Sequence, residues 1–343
     1  MYYVKETSFD EVDVQEWNDL LLRSEVCDAF QTYEWAQVLR NSKKAQPSFL
    51  MVQERKEVIG GVMFLKKKIF GTVDSYEVRG GPIYVGRNKE TVMKIVLDFF
   101  QKKHKRSMYS LFIPSPLVNS TLKNTFQYGG YHPLLFRTVI IDLRKPLKDI
   151  WRALNKKARW GVRKAERLGV DVKIAGTWQE WKQYYHVHVH HSGQRYISTQ
   201  SFCFFEETFK LHRKDKCRLF IAKYGGQIIA GSLFLLHREN MIFLQNASLD
   251  AFLTYNPNNL IQWRSIEWAA QNGITAYDLN GLPWEGTKYL RGIYEYKKRW
   301  DGHVQPYYYY LNRRLVCSGV HLIRASFFAW KLLSSLRKYV SLG

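Results

Sequence analysis

The chain has 343 residues, 46% of them hydrophobic and 15% aromatic, which excludes a disordered protein and leaves room for two domains with separate cores. Its 52 Lys and Arg against 30 Asp and Glu give a net charge of +22, so a polyanionic partner is expected: RNA, an anionic membrane surface or a phosphorylated substrate. Cys27, Cys203, Cys217 and Cys317 lie far apart with no CxxC spacing, which speaks for reduced thiols and against a disulfide frame or a cysteine zinc site.

The polar start MYYVKETSFDEVD does not read as a signal peptide, and no uninterrupted apolar run is long enough to span a membrane. A cytoplasmic protein is expected, with peripheral contact at the inner face of the membrane left open. Helical periodicity appears around 14–22 and 32–40. FLMVQERKEVIGGVMFLKK, from Phe49, reads as a β-hairpin. A strand is expected over 76–85, interrupted by Arg79-Gly80-Gly81-Pro82. A helix over 89–103, a strand over 107–113, a helix over 122–127 and a strand over 138–143 follow.

Much of this pattern returns at an offset of 170 residues. FLMVQERKEVIGGVMFL at 49 lies without a gap over LFIAKYGGQIIAGSLFL at 219, the helix at 89–103 over 259–271, the strand at 107–113 over 274–280, and that at 138–143 over 308–313. Five ordered elements at nearly one offset argue for a duplicated α/β unit. Between the copies, LKDIWRALNKKARWGVRKAERLGV shows Ile150, Leu154, Ala158, Val162 and Ala165 at helical spacing, with Gly169 as C-cap. Its other faces carry eight cations against Asp149 and Glu166. Such a run is either a solvated face or a surface for ribose-phosphate backbone. Residues 314–343 form a basic amphipathic tail with a stripe from Val320 to Val340, suited to packing on the first domain or to a membrane surface.

The stretch YDLNGLPWEGTKYLRGIYEYKKRWDGH, from Tyr277, takes a strand into a loop and then a basic helix, a common setting for a site on an α/β sheet. Asp278, Gly281 and the pair Tyr296-Lys297 resemble the closing signature of the FemABX-type aminoacyltransferases. The repeated order helix, helix, hairpin, strand, helix, strand, helix, strand resembles the GNAT fold, two copies of which make up the FemABX architecture. The expected fold is therefore α/β (α+β), with GNAT-like domains at 1–145 and 146–313, mixed central sheets and the helical tail at 314–343. The run Lys157–Glu166 is similar to the segment that opens the second domain of such proteins.

The resemblance implies transfer of an amino acid from aminoacyl-tRNA to an amine of a nucleotide- or lipid-linked cell-wall peptide precursor, with no cofactor beyond the tRNA co-substrate. It implies a catalytic set of Lys297, Tyr296 and Asp278, the lysine meeting a phosphate or the charge growing on the ester carbonyl. Asp278 reads either as a base or as a loop-orienting carboxylate. Substrate contacts are expected from Arg195, Tyr196, Gln200, Phe204, Tyr255, Asn280, Arg291 and Arg40, and RNA contacts from Arg159, Arg163, Lys164, Lys298 and Arg299. The sequence departs from the resemblance where relatives acting on muramyl peptides carry an Arg and a Tyr, here Gln200 and Phe204. It departs again after Gln31 and Trp35, where an expected lysine falls on Leu39 beside Arg40. These departures bear on the acceptor.

His186, His188, His190 and His191 have no interleaved Cys or carboxylate, so no metal site is expected. A coenzyme-A-dependent GNAT would cradle pyrophosphate on a glycine-rich turn, yet 249–260 reads LDAFLTYNPNNL. That enzyme and a non-catalytic basic RNA-binding protein are the alternatives.

Overall fold

The computed structural model describes residues 2–25, 28–43, 45–69, 73–104, 107–195, 197–282 and 288–312. The amphipathic tail at 314–343, the expected substrate residue Tyr196, and Cys27 and Cys317 lie outside them. The chain divides into two compact units, one of residues 1–136 with 306–343 and the other of 137–305.

The first unit runs β1 (Tyr2–Ser8), α1 (Val14–Arg23), α2 (Tyr33–Lys43), β2 (Gln46–Glu54), β3 (Glu57–Ile69), β4 (Val73–Arg79), the short β5 (Ile83–Tyr84), α3 (Lys89–His104), β6 (Ser107–Ile113) and α4 (Lys123–Tyr128), and enters β7 (Tyr131–Asp142). Strands β1 to β4 form an antiparallel meander, and β6 joins β4 in parallel. The apolar side of α3 closes on the sheet through Val92, Val96 and Phe100, which pack with Phe64, Tyr76 and Phe112.

The second unit runs α5 (Leu147–Ala153), α6 (Lys156–Arg167), β8 (Asp171–Ile174), α7 (Trp178–Arg195), α8 (Phe202–His212), β9 (Cys217–Tyr224), β10 (Gln227–His237), β11 (Asn240–Ser248), α9 (Pro257–Gln271), β12 (Ala276–Asp278) and α10 (Lys288–Lys297), and enters β13 (His303–Asn312). Here β8 to β11 are antiparallel and β12 joins β11 in parallel. From α7 to β13 the element order repeats that from α1 to β7, as the offset predicts. Gly61 and Gly231 occupy the same place in the repeat. A Cβ on Gly61 would stand 3.1 Å from the Trp17 ring, and one on Gly231 2.6 Å from the Tyr184 ring. Both hairpins thus keep a bare backbone so that an aromatic of the preceding helix can lie on the strand.

Two expectations need correction. The first is the boundary after residue 145 and the placement of the closing strands. The stretch 137–142 of β7 belongs to the second unit, where Ile140–Asp142 pair with β12; Tyr310 and Leu311 of β13 pair with β6 of the first. Each half of the chain therefore supplies the strand that closes the other unit. Alternation identifies a strand but carries no information on its partner. The second correction concerns the basic run, which is not one helix. It breaks at Leu154-Asn155, where the Asn155 side chain accepts from the Lys157 N–H (2.9 Å) and starts α6 afresh. Gly169 does take the left-handed conformation expected of a helix stop (φ +79°).

Candidate functional site

The parallel pair β11–β12 is short. Asn240, Met241 and Ile242 face Ala276, Tyr277 and Asp278, and β11 then continues to Ser248 paired only with β10 among the described residues. The chain leaving β12 turns toward β7 instead, Leu279 N–H donating to Val139 O (2.9 Å) and Leu282 N–H to Arg137 O (2.6 Å). A wedge opens between the β11 wall and residues 279–282. In the first unit the equivalent pair β4–β6 stays matched to Arg79 and Ile113 and is extended by Gly80 N–H on Ile113 O (2.8 Å). Among the described residues the opening appears in the second unit and not in the first.

Lys297 fills it. At the end of α10 its ammonium donates to the carbonyls of Asn280 and Gly281 (2.7 Å to the latter) and sits 5.7 Å from the centre of the Phe243 ring on the opposite wall. Asn280 and Gly281 both have positive φ, so consecutive carbonyls point at the amine. Loss of solvent lowers the lysine to about 8, and the Asp278 carboxylate partly resists that shift. The result is a desolvated cation, still mostly protonated at neutral pH. Two carbonyls engage two of its three N–H bonds, leaving one to point into the wedge.

Asp278 is held by its own loop and by β7. Its Oδ1 accepts from Thr138 Oγ1 (2.5 Å) and from Asn280 N–H (2.7 Å), which fixes the turn that presents the two carbonyls. Tyr296 does not offer a free ring. It packs edge-on to the buried Trp300 (5.9 Å), its hydroxyl donates to Asn258 O at the start of α9 (2.9 Å), and burial raises its pKa. It anchors α10 and thereby aims Lys297. Neighbouring helix positions point apart, so Lys298 is exposed beside Tyr294 (5.0 Å) and Arg291 is exposed a turn and a half earlier.

The expected substrate residues are dispersed. Arg195 bridges from α7 to Asp250 (2.7 Å), and the Tyr255 ring leans on Tyr224 (4.7 Å). Gln200 donates its backbone N–H to His188 Nε2 (3.0 Å). Phe204 is a core residue, 2% exposed against Phe205, which corrects its assignment to substrate. Arg40 belongs to the first unit, paired with Asp10 and lying over Phe9 (4.7 Å). Burial lowers the pKa of both His188, to about 4, and His191, whose Nδ1 sits on the Ser248 backbone; they behave as neutral packing residues. Among the described residues no cluster of His, Cys, Asp and Glu could hold a metal.

Of the basic set, Arg159 is spent on the carbonyls of Trp151 and Arg152 at the end of α5, which corrects its placement on the outer face. Arg163 is exposed over Trp151 (5.7 Å), and Lys164 lies over Trp160 (5.0 Å), a tryptophan left 58% exposed. The backbone carbonyl of Arg299 accepts from Asn155 N–H (3.0 Å), joining the end of α10 to the start of α6. Sequence reasoning missed Phe243, Thr138, Asn246 and Asn258. Asn246, which with Gln245 interrupts the apolar part of β11 after Leu244, was the available signal; its Nδ2 donates to Ser232 Oγ (3.1 Å) and Asn258 Oδ1 (3.0 Å).

Residues 152–298 match the family described as an acetyltransferase (GNAT) domain. UDP-N-acetylmuramoylpentapeptide-lysine N(6)-alanyltransferase of Weissella viridescens is 20% identical over 225 residues, 60% of this chain and 66% of that protein, just under two thirds of its length. The crystal structure of FemX superposes with a TM-score of 0.72 at 15% identity, over 90% of this chain and 96% of that one. The C-terminal domain of a putative lysylphosphatidylglycerol synthetase from Agrobacterium fabrum superposes at 0.63 and 12% identity, over 92% and 95%. With its duplicated order, its wedge and these matches, the chain has a tandem GNAT-like fold similar to that of FemX.

Proposed function

We propose that this protein is an aminoacyltransferase that moves an amino acid from the ester of a charged tRNA to an amine of a cell-wall peptide precursor, forming a peptide bond. The observation that carries the reading is Lys297, a desolvated ammonium held in the wedge by the Asn280 and Gly281 carbonyls. The donor ester is already activated, so the enzyme's task is to align amine and carbonyl and to meet the negative charge that develops on the carbonyl oxygen. The third N–H of Lys297 is suited to that oxygen or to the terminal phosphate. The acceptor class is drawn from the relatives, one named for a muramoylpentapeptide-lysine substrate.

An RNA-borne donor is favoured over coenzyme A by the start of α9. Pro257 has no N–H, and the N–H groups of Asn259 and Leu260 bond to Asn256 O (3.1 and 3.4 Å). Few donors remain there for a pyrophosphate. The basic outer side of α6, with its exposed Trp160, supplies charge and a stacking face suited to RNA. The test compares purified protein given charged tRNA plus a peptide amine with the same protein given acyl-coenzyme A. Transfer from the tRNA alone is expected; transfer from the thioester alone would overturn the reading.

A further inference from the structure

We propose that the second unit carries a further RNA contact at the lower end of its sheet, remote from Lys297, which grips the body of the donor RNA rather than its acceptor end. The inference rests on the tRNA reading above. Two turns meet there, α8 to β9 and β10 to β11, joined by Leu236 N–H on Lys216 O (2.9 Å). They bring Lys214, Lys216, Arg218 and Arg238 around a cavity of about 530 Å³ that Trp268 also lines, while Arg213 lines a second cavity that shares Asp215 and Arg218 with the first. Arg213, Lys214 and Arg238 are exposed. Arg218 is mostly buried and structural: it donates to the carbonyls of His212 (3.3 Å) and Cys217 (2.9 Å), pairs with Asp215 and lies 5.4 Å from the Trp268 ring centre.

The two nearby carboxylates are already engaged. Asp215 holds Arg218, and Glu239 accepts from Thr275 Oγ1 (3.2 Å). Asp215 and Arg238, at the tips of the turns, both adopt positive φ without being glycine (58° and 50°), so both corners are tight. Five cations stand against these two carboxylates beside an aromatic ring, a net positive composition suited to a phosphate backbone.

Its place argues for an RNA already bound at Lys297. Helix α9 connects the two ends: Asn258 accepts from Tyr296 beside the wedge, and Asn272, the residue after α9, lines the basic cavity. Fifteen helical residues span about 22 Å. Along that path α6 lies on α9, with Gly161 close against Asn259 and Glu166 paired to Arg264 (2.9 Å), and exposes Trp160 and Arg163. A ligand seated by its end in the wedge and running over α6 arrives at the lower cluster. An RNA duplex arm has the length and the repeating charge to touch all three places.

The test is the set Arg213→Glu, Lys214→Glu and Arg238→Glu together, measured against full-length charged tRNA and against a charged minimal hairpin of a few base pairs, too short to span the roughly 22 Å from the wedge to the cluster. Full-length binding should weaken by about 10- to 100-fold and its salt slope fall by roughly 3, about one per lost phosphate contact. Hairpin affinity and single-turnover rate should stay within about twofold. The neutral set Arg213→Gln, Lys214→Gln and Arg238→Gln should give an intermediate loss and guards against misfolding, with melting temperature as control. Equal weakening for both RNAs, or for neither, overturns the proposal. So does loss of binding to acidic phospholipid vesicles with tRNA binding intact, which would make the cluster a lipid contact. A wild-type protein that transfers only from acyl-coenzyme A would refute the donor reading itself, a distinguishable failure.

Discussion

Replacing Lys297 by Met keeps the stem of the side chain and removes the charge, so it separates the proposed catalytic role from the structural one. Burial takes the amine from its usual 10.5 to about 8. At about 1.4 kcal/mol per pH unit, that is a penalty on the folded state of about 3 kcal/mol, reduced to about 2 once partial solvent contact is allowed for. The sign follows from the lowered pKa. Below pH 8 both states hold the proton and the penalty is complete; between pH 8 and 10.5 the folded protein releases its proton first, and stability rises with pH. Met removes the penalty but leaves the Asn280 and Gly281 carbonyls without their donor, at a cost of roughly 1–3 kcal/mol. At pH 7 the two effects nearly cancel, and the melting temperatures should agree within a few degrees. Across pH 8 to 10.5 the wild type should gain about 2 kcal/mol on the variant, measured by urea unfolding. Single-turnover transfer should fall by on the order of 10²–10³, and the ratio of wild-type to variant rates should decline above pH 8 as the ammonium is lost. A stability difference flat through that window would refute the desolvated-lysine argument. A near-normal rate for the variant would refute its catalytic role.

Tyr296→Phe should cut turnover moderately and lower stability by about 1 kcal/mol, since it frees the Asn258 carbonyl and loosens the helix that aims Lys297; intact turnover with lost stability would make it purely structural. Gly231→Ala places a methyl 2.6 Å from the Tyr184 ring and 3.0 Å from Phe220 O, so denaturant titration should show a loss of roughly 1–3 kcal/mol. Charge reversal at Arg163 and Lys164 should weaken tRNA binding and lower the salt slope by roughly 2, with acyl transfer at saturating RNA unchanged. Deleting residues 314–343 tests the amphipathic tail: release from acidic liposomes with an unchanged melting temperature is expected if the stripe meets membrane, and a lower melting temperature with unchanged liposome binding if it packs on protein.

The elements and their duplication were legible because period-2 and period-3.6 patterns survive in each copy: the hairpins at Phe49 and Leu219 align without a gap and fold as such. Lys297 was singled out by the resemblance, as the lysine of the Tyr296-Lys297 pair; its burial was not foreseen. Its carbonyl partners were not legible either, since backbone acceptors have no sequence signature. Arg159 was misplaced because helical spacing gives a face but does not say which neighbour covers it, and Phe204 because it was set by alignment with the resemblance, which carries no information on burial. The break at Asn155 was hidden because Leu154 and Ala158 keep the apolar period across it, although an asparagine three residues before a buried alanine is a usual cap.

The crossed closing strands tie the two halves of the gene product together in time as well as in space. A ribosome that has released residues 1–136 has made everything in the first sheet except 306–312, so that sheet waits for more than half of the chain before its last edge is paired. Its provisional edge is β6, beside which Phe112 and Phe126 remain without Tyr310, whose ring stacks on Phe126 at 4.0 Å. An unpaired apolar edge held for that long is a target for wrong partners and for chaperones. The two sheets are therefore completed late and nearly together, and a cut between the repeats at residue 145 would leave each half short of the strand that closes its own sheet.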